Sequence, residues 1–282
     1  MDRVSCIVLT RDQWPYTRAC LGSLLSTRGV ELEVVVVDNG STDGTPDRVR
    51  AMKPEFEARG MVLHLHVNAT NVGCSTARNQ GLEMAYGNYC AFMDNDVMAC
   101  GPDWAADLIR SLCEQGAALV GPKLIYPVPP HLIQCAGVGI SRTGRVQFRG
   151  RGRPRDDREF SRRCECQALI SACLLFPYGL FEEIGGLDEA FNPIQYEDLD
   201  FCYRARARGF KAVYEPSVEV YHWESITSEA SRRLPNTYLI VKHGMLFKER
   251  WRHMFENEDG PSDESCRWAR ITLPSFDGPR EP

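Results

Sequence analysis

The sequence predicts an α/β protein built on a doubly wound, mostly parallel sheet. Two observations carry that prediction. Apolar, β-branched runs at residues 4–10 and 32–37 are separated by a run, 17–26, with apolar residues at helical spacing (Ala19, Leu21, Leu24, Leu25). The second run is also continuously apolar rather than alternating, as strands covered on both faces are.

Residues 11–16 form a loop, and the cluster Asp38-Asn39-Gly40-Ser41-Thr42-Asp43-Gly44-Thr45-Pro46 combines turn and helix-start residues ahead of a helix at 47–52. Residues 61–67 alternate as a third strand. From Asn71 a glycine and small residues lead into a helix that runs to about residue 86, and its free amides with Arg78 offer a place for phosphate. The run 89–93 is too short for a helix and reads as a buried strand ending on Asp94-Asn95-Asp96. In extended chain, positions i and i+2 project to one side, so Asp94 and Asp96 offer oxygens to one point, which suits a hard divalent cation such as Mg2+ or Mn2+. Ligands of parallel sheets bind beyond the carboxyl ends of the strands, so Thr10, Asp38 and Asp94 are expected along one crevice.

Further along, residues 104–114 are an amphipathic helix, and 118–120 and 124–126 are short strands. The arginine-, glycine- and acid-rich stretch 142–163 is a surface loop or hairpin, 167–176 an apolar strand, and 179–186 a short helix ended by glycines. The stretch 187–209 holds a helix with acids crowding its start and Arg204, Arg206 and Arg208 at its other end, matching the dipole. Strands at 212–214 and 218–221 lead to His222-Trp223-Glu224-Ser225. A basic amphipathic helix spans 235–251, and its apolar face packs on the domain, pairs with a second copy as a homodimer or lies on a membrane surface. The polar, acidic residues 256–282 are expected to be a disordered tail.

Composition narrows the class. With 282 residues and 43% hydrophobic content the chain builds a full core, and a net charge of -5 gives no basis for nucleic-acid binding. Twelve cysteines lie scattered without a Cys-x-x-Cys pair, as in a reduced, cytoplasmic protein. The start is strand-like rather than a signal peptide, and the longest apolar stretch, 168–176, is far short of a span, so membrane contact, if any, is peripheral at the inner face.

Four blocks carry a family resemblance: Val35-Val36-Val37-Asp38-Asn39-Gly40-Ser41-Thr42-Asp43-Gly44-Thr45; Asn71-Val72-Gly73 with Ala77-Arg78-Asn79-Gln80-Gly81; Asp94-Asn95-Asp96; and Gly185-Gly186-Leu187-Asp188-Glu189 with Tyr196-Glu197-Asp198-Leu199-Asp200. In this order, and followed by His222-Trp223, the chain resembles the family 2 inverting glycosyltransferases of the GT-A fold, near bacterial rhamnosyl- and N-acetylhexosaminyl-transferases. The resemblance implies a domain at 1–228, with a donor half at about 1–100 and an acceptor half at about 101–228, followed by a helical segment at 229–255.

By that resemblance the donor is a nucleotide-sugar, UDP- or dTDP-linked, and the acceptor is a hydroxyl of a glycan, a lipid-linked sugar or a peptide. Asp38 accepts a hydrogen bond from the base with Thr10 nearby, and Arg78 and Asn95 serve the donor. Asp96 and His222 bind Mn2+ or Mg2+, and Asp94 supports the metal or holds the ribose. Asp198 is the expected base, with Glu197 or Asp200 as alternatives. Asp188 and Trp223 are placed on the acceptor side, although capping a turn and packing in the core account for them equally. Many relatives carry Gly-Ala where this chain has Ser171-Ala172-Cys173, and that change falls where the acceptor is expected. Two other readings remain: a sugar-phosphate nucleotidyltransferase, which normally needs a glycine-rich basic loop where this chain has Arg11-Asp12-Gln13-Trp14-Pro15, and a nucleotide-sugar-binding relative without catalysis.

Overall fold

The computed structural model of the chain describes residues 1–224, 236–265 and 271. β1 (Arg3–Thr10), β2 (Glu31–Asp38), β3 (Val62–Val67) and β4 (Tyr89–Asp94) are parallel, in the order β3-β2-β1-β4. Their crossovers are α1 (Trp14–Leu24), then α2 (Thr45–Ala51) with α3 (Lys53–Glu57), then α4 (Cys74–Met84). Val34, Val35, Val36 and Val37 are all fully buried, which requires cover on both faces of β2 and explains its unbroken apolar run.

β5 (Val97–Ala99) and α5 (Trp104–Gln115) come next in the chain, followed by β6 (Leu119–Ile125), β7 (Ile133–Cys135) and a separate hairpin of β8 (Val138–Ile140) and β9 (Val146–Phe148). β10 (Cys164–Cys166), β11 (Cys173–Pro177), α6 (Tyr178–Ile184), α7 (Glu197–Ala207), β12 (Ala212–His222) and α8 (Asn236–Phe255) complete the described elements. The sheet continues past β4 as β11, β6, β12 and β10. Along this path β11 and β10 run against the common direction, because β11 is antiparallel to both β4 and β6, and β12 is parallel to β6; the short strands β5, on β12, and β7, on β6, are antiparallel as well.

Several boundaries differ from those the sequence predicts, each for a local reason. The two short strands expected at 118–126 are one strand, β6, and those at 212–221 are one strand, β12, whose register shifts between Glu215 and Glu219. Residues 167–172 are buried but irregular, since their backbone serves α7: the Ser171 amide donates to Asp198 Oδ2 and the Leu169 amide to Cys202 Sγ. The arginine-rich stretch is anchored on β12 and the residues just after it by ion pairs, Arg151 with Glu224, Arg155 with Glu219 and Arg163 with Glu215. The eleven described cysteines are free thiols, and no described helix is long and apolar enough to cross a membrane.

α8 buries Leu239, His243, Phe247, Trp251 and Phe255, one face at helical spacing, and leaves Tyr238, Val241 and Met245 exposed. Asp200, fully buried, accepts from Arg250 (2.7 Å) and from the Trp251 indole (2.9 Å), which fixes α8 on α7. The expectation of disorder from residue 256 does not hold as far as residue 265. Glu258 is buried, accepting from the Tyr203 hydroxyl (2.6 Å) and from both Arg206 Nη atoms, while Asp263 accepts from Ser141 and Thr143. Of the acids that read as a solvated tail, Glu258 is the partner of donors on α7 and Asp263 that of hydroxyls in the turn between β8 and β9. Residues 225–235, 266–270 and 272–282 lie outside the described residues, and so does the remainder of the expected tail.

Replacing Glu258 with alanine leaves the Tyr203 hydroxyl and Arg206 without their acceptor. The expected loss is about 2 kcal/mol, less than a fully enclosed pair would lose because Arg206 still meets water. Denaturant unfolding of the variant against the parent chain measures it.

Candidate active site

The register of the sheet builds the site. Thr10 pairs with Asp38 and Leu9 with Asp94, so β1, β2 and β4 end together. Two loops are joined above that edge: the Asp12 amide donates to Ser41 Oγ (2.6 Å), the Thr42 amide to Asp12 Oδ1 (2.7 Å), and the Trp14 amide to Asp43 Oδ2 (3.2 Å). Asp38 is fully buried. One of its oxygens accepts from the Ser41 amide (2.8 Å), while Oδ2 is enclosed with no hydrogen-bond partner among the described residues.

At the end of β4 the chain turns. Asp94 closes the strand and Asn95 and Asp96 form the turn into β5, so the two acids converge through a turn rather than through the extended chain the sequence suggests. The Asn95 side chain points inward, donating to Thr10 Oγ1 (3.3 Å) and Thr17 Oγ1 (3.0 Å), and it thereby ties the turn to β1 and α1. β5 pairs antiparallel with β12, His222 opposite Val97, and this pairing brings the distant histidine to the acids. His222 Nε2 lies 3.3 Å from Asp96 Oδ1 and 3.9 Å from Asp94 Oδ2. The three side chains each offer a ligand atom, all within 4.8 Å of one another. Burial works against a protonated His222, but Asp96 and Asp94 outweigh it and raise its pKa. Two carboxylates and an imidazole nitrogen fit a divalent cation with open positions.

Arg78 joins this cluster to a second one. The guanidinium is buried, donating through Nη2 to Asp94 Oδ1 (2.5 Å) and through Nη1 to Glu197 Oε1 (3.3 Å). Glu197 and Asp198 open α7. Burial raises the Glu197 pKa to about 7, helped by Asp198 and opposed by Arg78. Burial likewise raises that of Asp198, against the hydrogen bond from the Ser171 amide. Glu197 is almost wholly enclosed, whereas Asp198 retains some exposure.

The start of α4 does not offer the amides that a phosphate would need. The Cys74 amide donates to Pro193 O (2.8 Å) and the Ser75 amide to Asn192 Oδ1 (3.0 Å), so the loop before α7 occupies that end. Asp188 caps a short turn through the Ala190 amide (2.9 Å) and pairs with Arg250 (2.7 Å), and Asp200 is spent on Arg204, Arg250 and Trp251. Trp223 packs edge-on against Tyr16 of α1 (5.8 Å) and lines a cavity of 550 Å3 with Arg18, Met52, Glu55 and Met98. Its ring therefore sits on the α1 side. Sequence reasoning passed over Gln134, whose Oε1 is 2.8 Å from His222 Nδ1; a glutamine in a short apolar run carries no periodic signal.

Arg78→Lys offers one ammonium where a planar fork serves two acids, and leaves a buried carboxylate short of a partner. The expected cost is about 3 kcal/mol, read as a lower melting temperature of the ligand-free protein.

The model of the family described as "Glycosyl transferase family 2" matches residues 5–184. Among curated proteins, an uncharacterised protein of Sinorhizobium fredii is 31% identical over 79% of this chain and 24% of its own length. The O-antigen biosynthesis protein RfbC of Myxococcus xanthus is 28% identical over 82% of this chain and 18% of its own. This chain thus spans a quarter or less of these two relatives. An N-acetylglucosaminyl-diphospho-decaprenol L-rhamnosyltransferase of Mycobacterium tuberculosis is 27% identical over 86% of this chain and 82% of its own length. Two solved structures share the fold: GalNAc-T7 with UDP, GalNAc and Mn2+ (TM-score 0.62, 15% identity, covering 79% of this chain and 43% of that one), and a mannosyltransferase from Pyrobaculum calidifontis with GDP-Man and Mn2+ (0.59, 19%, 91% and 72%). The match runs from β1 to the end of α6 over strands arranged as in GT-A proteins, and on it the chain belongs to glycosyl transferase family 2.

Proposed function

We propose that this chain is an inverting, metal-dependent glycosyltransferase that moves a sugar from a UDP- or dTDP-linked donor to an acceptor hydroxyl. The observation that carries the reading is the meeting of Asp94, Asp96 and His222 at the strand ends, linked through Arg78 to the carboxyl pair Glu197–Asp198. Asp38 supports the choice of base. Its single enclosed, unpartnered oxygen suits the one ring N–H of uracil or thymine better than the paired N–H donors of guanine, since its other oxygen is already taken by Ser41.

A divalent cation held by Asp94, Asp96 and His222 would offset the charge that develops on the leaving nucleoside diphosphate. The imidazole among the ligands favours Mn2+ over the more strictly oxygen-bound Mg2+. Arg78 orients Asp94 for that task. Asp198 takes the proton of the attacking hydroxyl, because it has the raised pKa a base needs and, unlike Glu197, retains exposure and makes no ion pair among the described residues. Attack from the face opposite the leaving group inverts the anomeric centre. The relationship to the rhamnosyltransferase, whose name gives a lipid-linked acceptor, favours an acceptor of that kind here.

Two experiments test this. A panel of UDP-, dTDP- and GDP-sugars with and without Mn2+ should raise the melting temperature for a uracil or thymine donor only when metal is present, and Asp96→Ala should lose the effect. Failure of every nucleotide to stabilise a folded sample with metal would overturn the reading of a metal-dependent nucleotide-sugar site. Asp198→Asn should lower transfer by about 10²–10⁴-fold with donor stabilisation intact. In the parent enzyme, kcat/KM should fall as pH drops through an apparent pKa above the ordinary carboxylate range, since the base must be ionised; that limb belongs to the Glu197–Asp198 pair.

A further inference from the structure

We propose that Gln134 is a positioning residue that fixes His222 in the tautomer able to hold a cation; the inference rests on the metal reading given above. A neutral imidazole carries its proton on one nitrogen, and the partner of one nitrogen decides the state of the other. His222 Nδ1 lies 2.8 Å from Gln134 Oε1. An amide oxygen only accepts, so Nδ1 must be the donor, and the lone pair is left on Nε2. That nitrogen is the one 3.3 Å from Asp96 and 3.9 Å from Asp94.

The fold holds Gln134 tightly in place. It is fully buried on β7, between Ile133 and Cys135, which pair with Ile125 and Leu124 of β6. Ile125 is the last residue of β6 and lies beside Tyr221 of β12, so Gln134 meets His222 just where that edge of the sheet ends. Its Nε2 is buried with no hydrogen-bond partner among the described residues. Turning the amide over would direct this donor at Nδ1, force the imidazole proton onto Nε2 and aim it at the two acids, closing the position to a cation. An apolar residue of similar length would fill the same space with no orphan group. The cost of burying that N–H2 is explained if the oxygen is needed where it is.

Gln134→Met keeps the length and removes the acceptor, while Gln134→Glu keeps an acceptor. The probe is Mn2+ alone with the full chain, free ion being followed by electron paramagnetic resonance. Gln134→Met is expected to weaken Mn2+ binding by about 10- to 100-fold, and Gln134→Glu to restore it to within a few-fold of the parent. If Gln134→Met binds Mn2+ as the parent does, or if folded Gln134→Glu loses as much as Gln134→Met, the inference is overturned. A parent chain that takes up no Mn2+ overturns the metal reading and the inference with it, an outcome distinct from a silent variant. A measurement free of substitutions completes the test: long-range 1H–15N spectra of the metal-free parent, at a pH where His222 is neutral, should show the proton on Nδ1, and a proton on Nε2 overturns the proposal.

Discussion

Four carboxylates, Asp94, Asp96, Glu197 and Asp198, are gathered at one edge of this fold, and a single buried guanidinium makes the gathering tolerable. Charges taken out of water lose several kcal/mol of hydration each by order of magnitude, and only close, hydrogen-bonded partners offset that loss. Arg78 answers two of the acids at once; burial works against its charge, but Cys74, Asp94 and Glu197 outweigh that and raise its pKa further. A planar fork does this where a single ammonium cannot. The consequence is a division of labour between neighbours. Both carboxyl groups have raised pKa values, but Glu197 is tied to Arg78 and enclosed, while Asp198 keeps some exposure, as the base proposed above requires.

Arg78 also explains why motifs far apart in the chain form one unit. α4 lies against β1 because Gly81 has no side chain there; a Cβ would drive into Ile7. At the other end of the helix Gly73 has φ +93 and faces the Asn192 side chain, leaving no room for a Cβ. Asn79 closes the loop between the two blocks, its Nδ2 donating to Leu187 O (2.9 Å) and its Oδ1 accepting from the Leu187 amide (2.7 Å). The residues 71–81 and 185–200 are thus two halves of a single clasp around Arg78. The same clasp fills the start of α4, which is why that helix end has no amides left for phosphate.

The parallel half of the sheet was legible in the sequence because its signal is local: continuous burial of Val34 to Val37 prints itself as an apolar run, and strand ends carry Thr10, Asp38 and Asp94. The family resemblance brought His222 to the acids, but the cause is a pairing of β5 with β12 that no window of sequence contains. Where side chains act through distant partners, local reading stopped short. Asn95 looked like part of a ligand triplet and is spent on Thr10 and Thr17; Asp188 is spent on a cap and on Arg250; Glu258 looked like tail and is a buried acceptor. Gln134 had no local signal at all.

Unpartnered buried atoms separate the roles that such composition-level reading merges. Asp38 Oδ2, Glu197 Oε2, Arg78 Nε and Gln134 Nε2 are all enclosed without hydrogen bonds among the described residues. His64 Nε2 and His243 Nε2 share that state away from the strand ends, so an orphan by itself marks nothing. What distinguishes the first set is its location, on or beside the residues that meet at the carboxyl edge of the sheet. Folding ordinarily removes such groups, since each costs about 1–3 kcal/mol when left bare. Asp200, equally buried on the same helix as Glu197, shows the ordinary outcome, with both its oxygens satisfied by Arg204, Arg250 and Trp251. A chain that satisfies Asp200 three times over and leaves Asp38 half bare has an acceptor to spare at the strand ends, as the proposed hydrogen bond to the donor's base requires.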